Sequence, residues 1–208
     1  SFSKVQMLLT NFMVELSSFY LDMTKDIMYC EKADSPRRKA VQYVLYKLTK
    51  ELCLLFNPIL SFTMDEVYSY LPGEKKASPQ LEDMPSETHE YGEEDKAMYA
   101  KFKDYRALVL KALENKRNEG LIGSSLEAEL ALKVADAGLY EVLSKLEKDE
   151  LARYFGVSEA EIEKAEEKSV IVSKDEHEVC ERCRTAKIDV KERGDGHHLC
   201  DRCAKAIE

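Results

Sequence analysis

The last 29 residues hold two Cys-x-x-Cys pairs, Cys180–Cys183 and Cys200–Cys203, with sixteen residues between them, and no other feature constrains the fold as tightly. Two intervening residues let one tight turn aim both sulfurs at a single ion. Two such turns supply a tetrahedron of thiolates about 2.3 Å from zinc. Four thiolates complete the shell, so the spacing predicts one structural Zn2+ with no open position for catalysis. Residues 174–208 are dense in Cys, His and charge and carry few large apolar side chains, so they need such a staple to hold shape. His177, His197 and His198 lie close by, but beside four cysteines they read as exposed loop residues or phosphate contacts. A redox pair would need only one Cys-x-x-Cys and a fitting fold around it. Cys30 and Cys53 stand alone and read as small buried or half-buried thiols. With no secretory signal in view, the cysteines point to a metal in a reducing, cytosolic compartment rather than a disulfide framework.

Chain length, 208 residues, allows one large domain or two small ones. No apolar run approaches the roughly 18 residues of a membrane span, so a membrane partner is not expected. The opening residues, Ser1-Phe2-Ser3-Lys4-Val5, lack the basic and apolar regions of a leader and read as a helix entered in mid-protein, so the chain is expected to be a fragment. The net charge is −9, which argues naively against a polyanionic partner. Its distribution is uneven: residues 1–58 carry eight Lys/Arg and six Asp/Glu, whereas residues 74–95 carry two and eight.

Apolar residues at Phe2, Val5, Leu9, Phe12, Met13, Leu16, Phe19 and Tyr20 form one helical stripe, and Tyr20 to Cys30 continues it or follows a small kink. Asp34-Ser35-Pro36 is a helix start, with a capping oxygen and a proline where no N–H is needed. The next stripe runs Val41, Val44, Leu45, Leu48, Leu52, Leu55 and Phe56, and Pro58 stops it. Thr63 to Glu66 reads as a capping box opening a short helix that ends at Leu71-Pro72-Gly73. Residues 73–92 are an acidic connecting loop. A long helix is predicted from Glu93 to Glu119, with stripe Met98, Phe102, Tyr105, Val109, Ala112 and Leu113 and a left-handed cap at Gly120. Ala128 to Val134 alternates with period two, a strand. Short helices at Leu139–Leu146 and Glu150–Tyr154 and a strand at Ser169–Val172 complete the pattern. The fold class is therefore mainly α: an antiparallel helical bundle over 1–120, a small α/β junction domain over 121–173, and a zinc-binding module over 174–208.

Several of these residues carry a resemblance. Phe19-Tyr20-Leu21-Asp22-x-x-Lys25-Asp26, within the longer run Asn11 to Tyr29, resembles the first anticodon-domain helices of isoleucyl-tRNA synthetases. Arg37 to Leu45 and Pro58 to Val67 continue in the same order. Arg106, Leu113-Glu114, Arg117 and Ile122 to Ala128 look like that family's link into its C-terminal domain, and the paired Cys-x-x-Cys terminus looks like its zinc module. The resemblance spans essentially the whole chain. One departure is plain: such synthetases often place Trp after the first Cys-x-x-Cys, where this chain has Arg184, and it has no Trp at all.

The resemblance implies a cytoplasmic, monomeric, ATP-dependent ligase joining isoleucine to its tRNA, with catalytic and editing domains outside this fragment. The fragment itself would be an anticodon-binding bundle that binds isoleucine tRNA and catalyses nothing alone. Anticodon loops are read by stacking, by base-edge hydrogen bonds and by Arg/Lys pairing with phosphate. Arg37 and Arg38 begin a helix, where side chains and free N–H groups meet one phosphate region together. Gln42 lies one turn on. Tyr20, Asp22 and Lys25 combine a ring, an acceptor and a cation within two turns, although Lys25 can equally pair with Asp22 or Asp26 and Tyr29 can be core. Arg182 and Arg184 are the zinc-module candidates, among a set of Lys and Arg that also offsets the thiolate charge. The competing readings are a valyl or leucyl sibling, and a zinc-stapled protein-interaction module with no RNA role.

Overall fold

The structure, a computed structural model, describes residues 1–86, 90–194 and 196–207. Its elements in chain order are α1 (Phe2–Glu15), a π-helical turn (Leu16–Leu21), α2 (Asp22–Cys30), α3 (Pro36–Phe56), α4 (Ser61–Ser69), α5 (Glu93–Asn118), β1 (Ala128–Val134), α6 (Ala137–Leu143), α7 (Lys148–Phe155), β2 (Glu159–Lys164), β3 (Ser169–Lys174), β4 (Lys191–Glu192), β5 (His198–Leu199) and α8 (Asp201–Ile207). The chain is mainly helical and divides into two compact units: Ser1–Cys30 with Tyr91–Glu208, and Glu31–Glu90.

In the first unit the core sits between α5 and a three-stranded sheet of order β2-β1-β3. β1 is central, antiparallel to β3 and parallel to β2. A parallel pair needs a crossover, and α6 and α7 supply it. The alternation in β1 buries Ala128, Leu130, Leu132 and Val134 on one face. Phe102, Tyr105, Val109 and Leu113, the predicted stripe of α5, are buried against this sheet. The Tyr105 hydroxyl accepts the Ala135 N–H at 2.9 Å, so its ring is buried without an orphaned polar end. Phe102 meets Phe155, Tyr154 and Phe19 at centroid distances of 5.7, 5.9 and 5.7 Å. α5 closes in a Schellman cap: Gly120, at φ +73°, donates to Arg117 and Leu121 donates to Lys116.

α1 and α2 form one helix interrupted by the π turn, so the segment from Tyr20 continues the first helix with a change of phase. Thr24 is buried there, and its hydroxyl donates to the Tyr20 carbonyl at 2.8 Å. The extra residue rotates α2 so that Thr24, Ile27 and Cys30 turn inward. No residue of α1 is buried. The sequence pattern does not predict the alternating strand β2, and the helix expected at Leu139–Leu146 runs instead from Ala137 to Leu143.

In the second unit, α3 begins as expected: Ser35 accepts the Arg38 N–H and Pro36 opens the first turn. The buried Glu31 carboxylate, just ahead of it, accepts from the Ser35 hydroxyl at 2.6 Å and from the Arg37 guanidinium. α4 begins at Ser61 with no side-chain cap, so the Thr63–Glu66 capping box does not form; Asn57 O instead accepts the Ser61 hydroxyl at 2.8 Å. The Lys75 ammonium donates to the Tyr68, Ser69 and Leu71 carbonyls at 2.7, 2.6 and 2.6 Å and closes the end of α4. Of the stripe predicted on α3 only Val41 is buried, beside Cys53 and Leu54, while Val44 and Leu55 are exposed. Within this unit the described partners of the 21-residue α3 are α4 and the turn at Pro79–Leu81.

Candidate functional site

The four terminal cysteines converge. Their sulfurs all lie within 4.8 Å of one another and every one is buried. A zinc tetrathiolate with bonds near 2.3 Å has S–S edges of about 3.8 Å, so the cluster fits one ion. Arg184 N–H donates to the Cys180 carbonyl at 2.8 Å and Cys180 N–H to Thr185 O at 3.0 Å, which closes the first knuckle. Arg184 takes the left-handed conformation, φ +62°, that this tight turn demands. The β4–β5 hairpin leads into the second pair at the start of α8, where Ala204 N–H donates to Cys200 O at 3.0 Å. Cys200 N–H points at Cys180 Sγ at 3.4 Å, as amides do toward a thiolate. Hydrogen bonds from Cys200 and Cys203 push the Cys183 thiol far down and those two up. Zinc takes its cysteine ligands as thiolates, so binding the ion releases their protons. The site is one structural zinc.

The nearby histidines stay outside the cysteine cluster, His177 and His197 exposed as expected, and pair with carboxylates: His177 with Asp175 at 2.8 Å, His197 with Glu181 at 2.7 Å and His198 with Glu178 at 2.5 Å. Cys30 of α2 packs with Leu199, Ala204 and Val190 around the sulfurs. It is buried, as expected, but its neighbours are metal ligands distant in sequence.

The knuckles grip α2 by charge. Arg182 donates to the carbonyls of Cys30 and Tyr29 at 2.5 and 2.9 Å, a cation on the open C-terminal carbonyls of a helix. Arg202 makes a two-pronged bond to Asp26, 2.6 Å on each arm, and Arg153 of α7 approaches the same carboxylate to 3.5 Å. Burial alone would raise the Asp26 carboxyl; the Arg202 hydrogen bonds and charge, aided by Arg153, outweigh it and hold the group below the usual carboxylate range. The sequence gives no reason to expect Arg153 here, and it offers Arg202 only as one of the cations around the thiolates and Asp26 only as a possible partner of Lys25. Their only local signal was a cation beside a Cys-x-x-Cys pair and an acid on the opening helix.

α2, α7 and the zinc module enclose a cleft of about 320 Å3 lined by Asp22, Lys25, Tyr29, Arg153, Arg182 and Lys187 among others. Three of the expected contact residues, Asp22, Lys25 and Arg182, meet here. Lys25 pairs with Asp22 at 3.0 Å, and both are exposed. Tyr20 is half-buried, one turn back, and burial pushes its hydroxyl up. Arg184 is exposed on its knuckle and outside the cleft wall. Tyr29, which could have been core, is 75% exposed. Arg37, Arg38 and Gln42 belong to the second unit. There Arg37 holds Glu31, Arg38 donates to the Glu31 carbonyl at 3.0 Å, and Gln42 is exposed.

Comparison with known proteins returns two family models. One is described as the anticodon-binding domain of tRNA ligase and matches residues 1–132; the other, a zinc finger found in FPG and IleRS, matches residues 178–206. Among similar curated proteins, an isoleucine–tRNA ligase of Bacillus cytotoxicus is 40% identical over 207 residues, covering 94% of this chain and 22% of that protein. One from Geobacillus thermodenitrificans is 43% identical over 209 residues, covering 93% and 22%. One from Exiguobacterium sibiricum is 41% identical over 215 residues, covering 99% and 23%. The chain spans between a fifth and a quarter of the length of these relatives.

Proposed function

The chain belongs to the family of anticodon-binding domains of tRNA ligases, and from that premise we propose that it recognises the anticodon arm of isoleucine tRNA as part of an isoleucine–tRNA ligase. The catalytic and editing chemistry, with its ATP, would reside in the remainder of that ligase. The observation that carries the reading is the grip of the zinc knuckles on α2 through Arg182 and Arg202. It joins the helix bearing Lys25 and Tyr29 to the metal-held tail in one rigid wall.

No described helix is long and apolar enough to cross a membrane; we read the protein as cytoplasmic and monomeric from the resemblance alone. We read the helices of residues 1–120 as an antiparallel bundle, 121–173 as a junction and 174–208 as the zinc module; the buried stripe of α5 and the converging cysteines support that reading. Lys25 and Gln42, both exposed, suit phosphate and base edges respectively. Tyr20 and Asp22 back them on the same helix as Lys25, and Arg184 projects from the knuckle turn. Arg37 and Arg38 act by fixing the start of α3, where their charge still faces an approaching phosphate. Arg182 serves RNA indirectly, by holding α2. Zinc contributes shape and no chemical step.

The test is filter binding of the zinc-loaded chain to isoleucine tRNA and to valine tRNA over a salt series. Tighter binding to the isoleucine transcript, weakening steeply with salt, is expected. Equal or salt-independent binding to both defeats the proposal.

A further inference from the structure

Among the described residues, Arg153 is the one cation of the cleft with no hydrogen bond from any of its nitrogens. Its side chain is 11% exposed. The other charged groups on the wall each have at least one partner, although Nε of Arg106 and of Arg202 is, like that of Arg153, buried without one. Asp22 has Lys25 at 3.0 Å, Asp149 has Lys187 at 3.3 Å, and both oxygens of Asp26 accept from Arg202. Arg106 donates to the Ser18 carbonyl at 3.2 Å and lies over the Phe19 ring, and Arg182 is bound to backbone carbonyls. Six cations thus face three carboxylates around the cleft. Its balance stays positive when the two negative charges of a zinc tetrathiolate behind Cys183 are counted. A guanidinium so enclosed, with only an already bonded carboxylate 3.5 Å away, is costly to leave without acceptors.

We propose that Arg153 binds a backbone phosphodiester of the RNA that enters this cleft, with the adjoining base stacked on Tyr29 at its mouth. The inference rests on the tRNA-binding reading above and names the contact that reading leaves open. At about 320 Å3 the cleft is at the small end of ligand pockets, roughly 300–1,000 Å3, a size for one nucleotide unit rather than a helix. The planar fork of Arg153 matches two phosphate oxygens. Tyr29 is held outward at 75% exposure while Arg182 fixes its carbonyl, which leaves a preset aromatic face for a base. Tyr29 and Arg153 thereby divide the work: the ring adds affinity insensitive to salt, the guanidinium adds affinity that salt removes.

The experiment measures binding of an isoleucine-tRNA anticodon hairpin to the zinc-loaded chain across a salt series. Arg153→Gln is expected to weaken binding about tenfold at low salt and to lower the slope of log affinity against log salt by about 0.7. Tyr29→Ala is expected to weaken it by about tenfold with the slope unchanged. Zinc content and melting temperature check that each variant is folded. Independently of any substitution, a hairpin carrying one neutral methylphosphonate is moved through the loop against the unaltered chain. One position should reproduce the slope change, and that position should become silent in Arg153→Gln. If the unaltered chain binds with strong salt dependence but Arg153→Gln keeps its slope, or no methylphosphonate position alters it, this site is refuted and the general tRNA reading stands. If the unaltered chain ignores the hairpin and whole tRNA alike, both fall.

Discussion

Two neighbouring parts of the same unit are held together by different physics. The sheet region, residues 128–174, buries Leu130, Leu132, Val134, Leu139, Phe155 and Val172 in one apolar cluster with α5. The zinc region, residues 178–206, has a core consisting of its four ligands, Leu199, Ala204 and the visiting Cys30. At roughly 25 cal/mol per Å2 of apolar surface, the first part can offset its own ordering entropy and the second cannot. The comparison teaches that the metal does for one segment what several large side chains do for the other. It also explains why so charged a tail has a defined surface to present.

The sharpest way to break the comparison is to remove the ion. Structural zinc sites contribute apparent binding energies of about 10–16 kcal/mol in small finger peptides near neutral pH, which here is folding energy for residues 178–206. Chelation, or Cys200→Ala, is expected to abolish amide-exchange protection from Cys180 to Ala204 while the protection of β1 survives. Equal loss in both regions would mean that the sheet too depends on the metal. The converse change is Phe155→Ala. Phe155 is 1% exposed and meets the Phe102 ring at 5.7 Å. Truncation should cost about 3–5 kcal/mol in the unfolding of the sheet region, read as a lowered denaturation midpoint, with one zinc per chain retained.

How much of this was legible beforehand follows the same division. The cysteine spacing is a local rule, so ligands and metal were readable residue by residue, as were the Ser35-Pro36 start and the Gly120 cap. The stripe on α5 was readable, but not what it would cover: periodicity marks a buried face without naming its partner, and the partner is the sheet. β2 was missed because Glu159, Glu161 and Glu163 occupy its open positions and make an alternating strand look merely acidic. The π turn has no compositional mark, since it depends on how α2 must rotate to meet distant residues. The cleft was least legible of all. Arg182 and the carbonyls of Tyr29 and Cys30, like Arg202 and Asp26, lie more than a hundred residues apart in sequence, and only tertiary packing brings them together.

The smallest expected effect tests whether the two regions are coupled, and Asp26 is where coupling would reside. It binds Arg202 of the zinc module and is approached by Arg153 of the sheet region, from a helix belonging to neither. Asp26→Asn keeps the shape but removes the charge and one of the two acceptor arms. Removing a partner from a fully buried pair costs about 3–5 kcal/mol; with Arg202 and Asp26 side chains 25% and 28% exposed, water screens part of that, and about 1–2 kcal/mol is expected. Because four thiolates still bind the ion, zinc content should not change. The loss should appear as faster amide exchange at the C-terminal turn of α2 and in α8, with the sheet unaffected. If α2 exchanges as before, Arg182 on the helix carbonyls suffices to dock the module, and the ion pair serves to shape the charge of the cleft rather than to join its walls.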